Sequence, residues 1–204
     1  MENQKQMSST NNKFVANLKA GDAVADLWTT GQIFMTHEIA QYPVELVMWE
    51  KFLNARTDIK SIVELGSAAF GLSLYLALHA YQRGIEFRTF DNEAHDNLNS
   101  PLCRLLRMRN KFVWGDIFWQ ARPKLIRLLE RKLPHPILLY CDNGNKPREF
   151  QEFVPHLRKG DYVGVHDWGI EINAKDVTDF DNLNPLYWDK WAEMGSITRF
   201  WRVK

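Results

Sequence analysis

Two periods organise the apolar positions of this chain. Behind Pro43, a residue suited to a first helical turn, Val44, Val47, Met48 and Phe52 recur at near-helical spacing and predict a helix over 43–54. Ser61-Ile62-Val63-Glu64-Leu65 is a short β-rich run closed by Gly66. A helical stripe of Leu72, Leu74, Tyr75, Leu76, Leu78 and Tyr81 follows and ends at Gly84. The alternation then repeats, with strands over 86–90 and 111–114 and helices over 98–108 and 121–133. Residues 136–141 are apolar without interruption, which suits a parallel strand covered on both faces. Pro147 opens another helix carrying Phe150, Phe153, Val154 and Leu157, and residues 162–165 form a fifth strand. Beyond it the pattern weakens to an Asp/Asn-rich loop, a short helix near 187–194 and a terminal strand over 197–203.

Strands alternating with helices of this length predict a Rossmann-like, open, mostly parallel twisted sheet with helices on both faces. The polar stretch over 1–12 reads as a flexible tail, and residues 13–204 as a single domain. Composition narrows the partners. Twenty-six Lys+Arg against 25 Asp+Glu leave a net charge of +1, which disfavours nucleic acid and anionic membrane as partners. No apolar run approaches the roughly 20 residues of a membrane helix. Two cysteines, Cys103 and Cys141, make no disulfide framework, so a cytoplasmic setting is expected. Eight tryptophans are expected to serve mostly as core.

In an open α/β sheet, ligands lie beyond the carboxyl ends of the strands. Those ends here are Glu64-Leu65-Gly66, Asp91, Gly115-Asp116, Cys141-Asp142 and His166-Asp167, so each of five strands delivers a carboxylate to one rim. Strand-end capping is the alternative role, because Asp is a common turn residue. The loop Gly66-Ser67-Ala68-Ala69-Phe70-Gly71 allows a close backbone approach but lacks the middle glycine of a dinucleotide fingerprint, and no phosphate-binding P-loop is present. A nucleoside without pyrophosphate fits this loop best. His37, His79, His95, His135 and His156 show no zinc spacing, and the basic run Arg104, Arg107, Arg109, Lys111 reads as a solvated face.

Taken in order, Glu64-Leu65-Gly66 with Gly71, then Asp91, Gly115-Asp116 and Asp142 resemble the motif set of class I S-adenosylmethionine-dependent methyltransferases. Within that class, Gln41-Tyr42-Pro43, residues 141–146 and residues 159–167 are similar to the cephalosporin-hydroxylase-like O-methyltransferases, over roughly residues 30–168. The resemblance implies an enzyme with S-adenosylmethionine as cofactor and a small-molecule hydroxyl as acceptor. It assigns Glu64, Gly66, Ser67, Gly71, Asp91, Asp116 and Asp142 to the cofactor, with Asp91 on the ribose and Asp116 near the adenine amine. It also implies a magnesium site at Asp142 and Asp167, with His166 as a third ligand or a base. Lys146, one residue later than the usual position, would help Asp142 and His166 deprotonate the acceptor. The chain departs from these relatives in two places. Phe70 stands where many have a second glycine, which predicts a crowded cofactor loop, and the short C-terminal region puts the usual closing strand pair in question. Trp114 and Trp168 are expected in the core, with ring stacking on a ligand as the alternative. The competing functional classes are a non-catalytic S-adenosylmethionine- or nucleoside-binding module and a methyltransferase acting on nucleic acid.

Overall fold

The computed structural model describes residues 32–34, 37–93, 96–177 and 180–204; the expected tail over 1–12 lies outside them. Strands β1 (Gln32–Phe34) and β2 (His37–Ile39) form a small antiparallel hairpin ahead of helix α1 (Pro43–Ala55). The alternation then runs β3 (Ser61–Leu65), α2 (Gly71–Arg83), β4 (Glu86–Asp91), α3 (Pro101–Leu105), β5 (Phe112–Trp114), α4 (Arg122–Arg127), β6 (Ile137–Cys141), α5 (Lys146–Phe153) and β7 (Tyr162–Val165). The chain closes with β8 (Leu183–Leu186), α6 (Trp188–Glu193) and β9 (Arg199–Val203). Seven strands make one sheet in the order β5-β4-β3-β6-β7-β9-β8, parallel from β5 to β7 and antiparallel at β9.

All residues of β3 and β6 are buried, as central strands covered on both faces require; β6 is apolar throughout, whereas β3 also buries Ser61 and Glu64. Alternate side chains feed two cores. On one face Ile62, Leu138, Tyr140 and Phe200 meet Trp49 and Phe52 of α1 and Leu74 and Ala77 of α2. On the other, Val63, Leu139, Val163 and Trp201 meet Leu125 and Leu129 from the α4 side and Phe150 and Phe153 of α5. The closing strand pair is therefore present, correcting the expectation drawn from the short C-terminal region. Pro185 obscured β8 in the sequence, and the structure places that strand at the sheet edge, where a missing N–H is tolerated.

Helix expectations were longer than the helices found. Instead of one helix over 98–108, Ser100 accepts from the Cys103 N–H to start α3, and Arg107 at φ +53 turns the chain so that Met108 is buried. The stretch over 121–133 leaves α-geometry after Arg127 for a π turn, Leu128–Lys132, which keeps Leu125, Leu129 and Leu133 on the core. The tryptophans also divide. Trp49, Trp191 and Trp201 are buried, whereas Trp114 and Trp119 are exposed at the β5 side, against the expectation of core packing. Trp168 packs edge-on to Trp201 at 5.4 Å. Both cysteines are free and buried, and among the described residues no helix is long and apolar enough to cross a membrane.

Candidate active site

Between β3 and β6 the direction of strand order reverses, since β4 and β5 lie to one side and β7 to the other. Loops leaving such a switch point part company and open a crevice beyond the strand ends. A cavity of about 290 Å³ occupies it. One wall is the β3–α2 loop, with Gly66, Ser67, Ala68 and Gly71; the other is Asp142 after β6 and His166 and Asp167 after β7. Glu38 and Gln41 border it from the β2–α1 side.

The loop is shaped by contacts within the protein. Gly66 has φ +94, and a Cβ there would stand 2.3 Å from the Asp142 carbonyl oxygen. At Gly71 a Cβ would meet the Glu38 carbonyl oxygen at 2.2 Å, so β2 crosses directly over the start of α2. Two non-glycine residues also hold left-handed backbone, Ala68 at φ +41 and Phe70 at φ +70, a conformation that costs about 1–2 kcal/mol each. Asp91 clamps this bend. Its Oδ2 accepts from Ser67 N at 2.8 Å and Ala68 N at 2.9 Å, and its Oδ1 accepts from Glu93 N at 2.9 Å. The Phe70 ring turns away from the cavity, fully buried and edge-on to Phe112 at 5.4 Å, so the expected crowding does not occur. Beneath the loop Glu64 is fully buried, with Ser73 Oγ donating to Oε2 at 2.5 Å and Oε1 without a partner. Burial pushes its carboxyl up to about 8, and Asp142 and Asp91 nearby add to the rise, so it is neutral at pH 7.

Across the cavity two cations and four carboxylates interlock. Lys146 Nζ lies 2.8 Å from Asp167 Oδ2, 2.8 Å from Glu171 Oε2 and 3.4 Å from Asp142 Oδ1. His166 Nδ1 is 3.3 Å from the same Asp142 Oδ1 and 3.3 Å from the same Asp167 Oδ2, while its Nε2 is 3.0 Å from Glu45 Oε2. Asp167, at φ +58, turns the chain so that its carbonyl accepts from the N–H groups of Ile170 and Glu171, bringing Glu171 back onto Lys146. Gln41 Nε2 donates to Asp142 Oδ2 at 3.0 Å.

Burial works against charge on both basic groups, but the carboxylates outweigh it: Lys146 is held above its ordinary range, and His166 well above 6.5. Burial likewise works to raise Asp167, yet the hydrogen bond and charge of His166, with those of Lys146, bring it down to about 2. Glu45, fully buried, is also lowered; there burial is outweighed by His166, Thr198 and the backbone of Tyr42. Protonated, His166 donates from both nitrogens, and Lys146 has no lone pair. Each is enclosed by acids that stabilise its charged form, which disfavours the base role expected from the sequence.

The structure thus brings Gly66, Ser67, Gly71, Asp142, Lys146, His166 and Asp167 to one site, and the ligand atoms of Asp142, His166 and Asp167 fall within 4.8 Å of one another. Glu64 and Asp91 lie behind the loop, and Asp116 lies beyond the cavity, its Oδ1 accepting from Phe118 N at 2.7 Å in a strand-end turn. Sequence reasoning missed Glu45 and Glu171. Glu45 stands at the third position of α1, where an acid caps a helix start, and its Oε2 does accept from Tyr42 N at 3.2 Å. Its longer reach to His166, Ser196 and Thr198 had no local signal. The remaining described histidines have structural partners, with His79 on Glu50, His135 on Asp161, His156 on Glu130 and His37 beside Cys103.

No family model matches the sequence, and no curated protein matches it significantly. Solved structures do match in fold. A form of CmcI described with Mg and SAM superposes with a TM-score of 0.58 at 16% identity, covering 91% of this chain and 87% of that one. An apo form of CmcI gives 0.58 at 15% identity, over 91% and 86% of the two chains. A form with SAH gives 0.56 at 16%, over 91% and 94%. At such identities the likeness is one of fold.

Proposed function

We propose that this chain is a class I S-adenosylmethionine-dependent methyltransferase that methylates a hydroxyl of a small molecule. The observation that carries the reading is a single cavity at the switch point, walled on one side by a glycine-bent strand-to-helix loop and on the other by a charged cluster. The shared fold supports it, since CmcI is described with SAM and with SAH. The residues fit such a cofactor. At about 290 Å³ the cavity is near the lower end of ligand pockets, roughly 300–1,000 Å³, and suits the methionine end, with Gly66, Ser67 and Gly71 on its wall. The ribose and adenine would extend along the rim towards Asp91 and Asp116, the ends of β4 and β5. Two carboxylates, Asp142 and Asp167, are oxygen donors of the kind a hard cation such as magnesium prefers, although Lys146 and His166 already stand against them. The two buried thiols, both free, support a cytoplasmic setting.

When bound, S-adenosylmethionine supplies an electrophilic methyl group on a sulfonium. With the cofactor held by Gly66, Ser67 and Gly71, a carboxylate oxygen of Asp142 would take the proton of the acceptor hydroxyl as the methyl group left the sulfur, which would keep the C–S electron pair. Lys146 Nζ and His166 Nδ1 stabilise the negative charge developing on the acceptor oxygen, so their role is electrostatic. Gln41 orients the Asp142 carboxylate. Most of the acceleration would come from alignment in the crevice.

Calorimetric titration with S-adenosylhomocysteine, with NAD as the control and magnesium present in both, tests the cofactor. Micromolar binding of the first alone is expected, and transfer of a labelled methyl group to hydroxylated acceptors then tests catalysis. Failure to bind S-adenosylhomocysteine overturns the reading; binding without transfer to any acceptor turns it into a nucleoside-binding module.

A further inference from the structure

Two carboxylate oxygens of the Asp142–His166–Asp167 cluster, Asp142 Oδ1 and Asp167 Oδ2, are already bridged by cations of the chain itself. Lys146 Nζ stands 3.4 and 2.8 Å from them, and His166 Nδ1 stands 3.3 Å from each. Both cations are anchored from behind: Lys146 by Glu171 at 2.8 Å, and His166 by the fully buried Glu45 at 3.0 Å. Lys146 is itself 3% exposed and stands at the first position of α5, so its side chain reaches the acids from a fixed helix start. Asn145 caps that start, accepting from Arg148 N at 3.3 Å, and Glu149 ties the preceding loop through the N–H groups of Asn143 and Asn145.

We infer that the Lys146 ammonium is the resident counter-ion of the Asp142–Asp167 pair, so that this enzyme works with a tethered cation where a fold relative, CmcI, is described with Mg. The inference rests on the functional reading above and assigns its site a metal-independent mode. A magnesium ion needs oxygen at about 2.0–2.1 Å and surrenders its water reluctantly. To bind here it must come close to an ammonium already within hydrogen-bond distance of Asp167 Oδ2, and at such separations like charges repel strongly. A lysine in this seat offers a fixed positive charge to the acceptor oxygen without any dependence on metal supply. Glu171 has a place in this scheme that no metal site needs: it holds the ammonium forward on the acid pair.

The test is a calorimetric titration of the whole protein with manganese chloride, using wild type, Lys146→Met and Lys146→Arg, each also titrated with S-adenosylhomocysteine. Wild type and Lys146→Arg are expected to bind manganese no tighter than millimolar. Lys146→Met, which removes the charge and keeps the length, is expected to bind at least tenfold tighter, and Asp167→Asn added to it should abolish the gain. Micromolar manganese binding by wild type, or no gain in Lys146→Met, overturns the inference. If Lys146→Met does not fold, the wild-type thermal midpoint decides: no rise at 10 mM manganese supports the tethered cation, and a rise of several degrees overturns it. Run on wild type without metal, the S-adenosylhomocysteine titration reads cofactor binding, so its failure would count against the proposed function and leave the manganese result to judge the lysine.

Discussion

Single residues carry the site's stored strain and its misplaced charge. Glu64 would ionise near pH 4.5 in an open chain, but burial holds it protonated to about 8. Between those values the folded state binds more protons than the unfolded one, so stability is full below about pH 4.5 and falls as pH rises through about 8. The full loss is on the order of 5 kcal/mol. Glu64→Gln keeps an acceptor for Ser73 and removes the ionisation, so its thermal midpoint should fall less steeply from pH 6 to 9 than the wild-type midpoint, the remaining slope coming from groups such as Glu149, which burial raises to about 7. Parallel curves for the two proteins would show that Glu64 is charged in the fold. Ala68 offers a second test. Its φ of +41 suits glycine, so Ala68→Gly is expected to raise the midpoint by about 2–4 °C, as relief of roughly 1 kcal/mol would give. A lower midpoint would mean that the Ala68 methyl contributes more by packing than its backbone costs.

Elements meet at Glu45, and there a helix start becomes a junction. Its carboxylate joins α1 to the end of β7 through His166 and to the approach of β9 through Ser196, the Ile197 N–H and Thr198. Removing one partner of a buried charge pair costs about 3–5 kcal/mol, because the other charge stays behind unpaired. Glu45→Ala should therefore lower the denaturation free energy by at least about 3 kcal/mol, measured by urea titration, with Glu45→Gln milder. A loss below about 1 kcal/mol would reduce Glu45 to an ordinary helix cap, which is what its local sequence alone implies. The β3–α2 loop is a comparable junction: Asp91 was read as a ribose acid, yet three backbone N–H groups already converge on it. Asp91→Ala is expected to weaken S-adenosylhomocysteine binding tenfold or more, and also to lower the thermal midpoint by several degrees. Weakened binding with an unchanged midpoint would separate the ribose role from the clamp.

Across the whole molecule, most of the sheet was legible because strand and helix periods are local. Residues 61–65 and 162–165 are strands with the bounds that their apolar runs predict, and α2 ends where Gly84 caps it. What escaped were elements whose pattern is weak or contradicted. The β1–β2 strands are three residues each, β8 contains a proline, and Arg107 breaks a helix by taking a left-handed turn that ordinarily belongs to glycine. The rim acids were also legible as strand ends, but their roles were not. Asp91 and Asp116 receive backbone N–H groups, whereas Asp142 and Asp167 meet Lys146 and His166.

By itself the sequence determined the alternation of strands and helices, the five carboxylates along one rim and the glycine bend at Gly66, because each depends on neighbours within a few residues. Only the tertiary structure decided which of those acids share a cavity, and that Lys146 and His166 are enclosed, charged donors. Protonation follows from the acids gathered around a group, and those come from positions 45, 142, 167 and 171, on segments that meet only when the sheet is assembled.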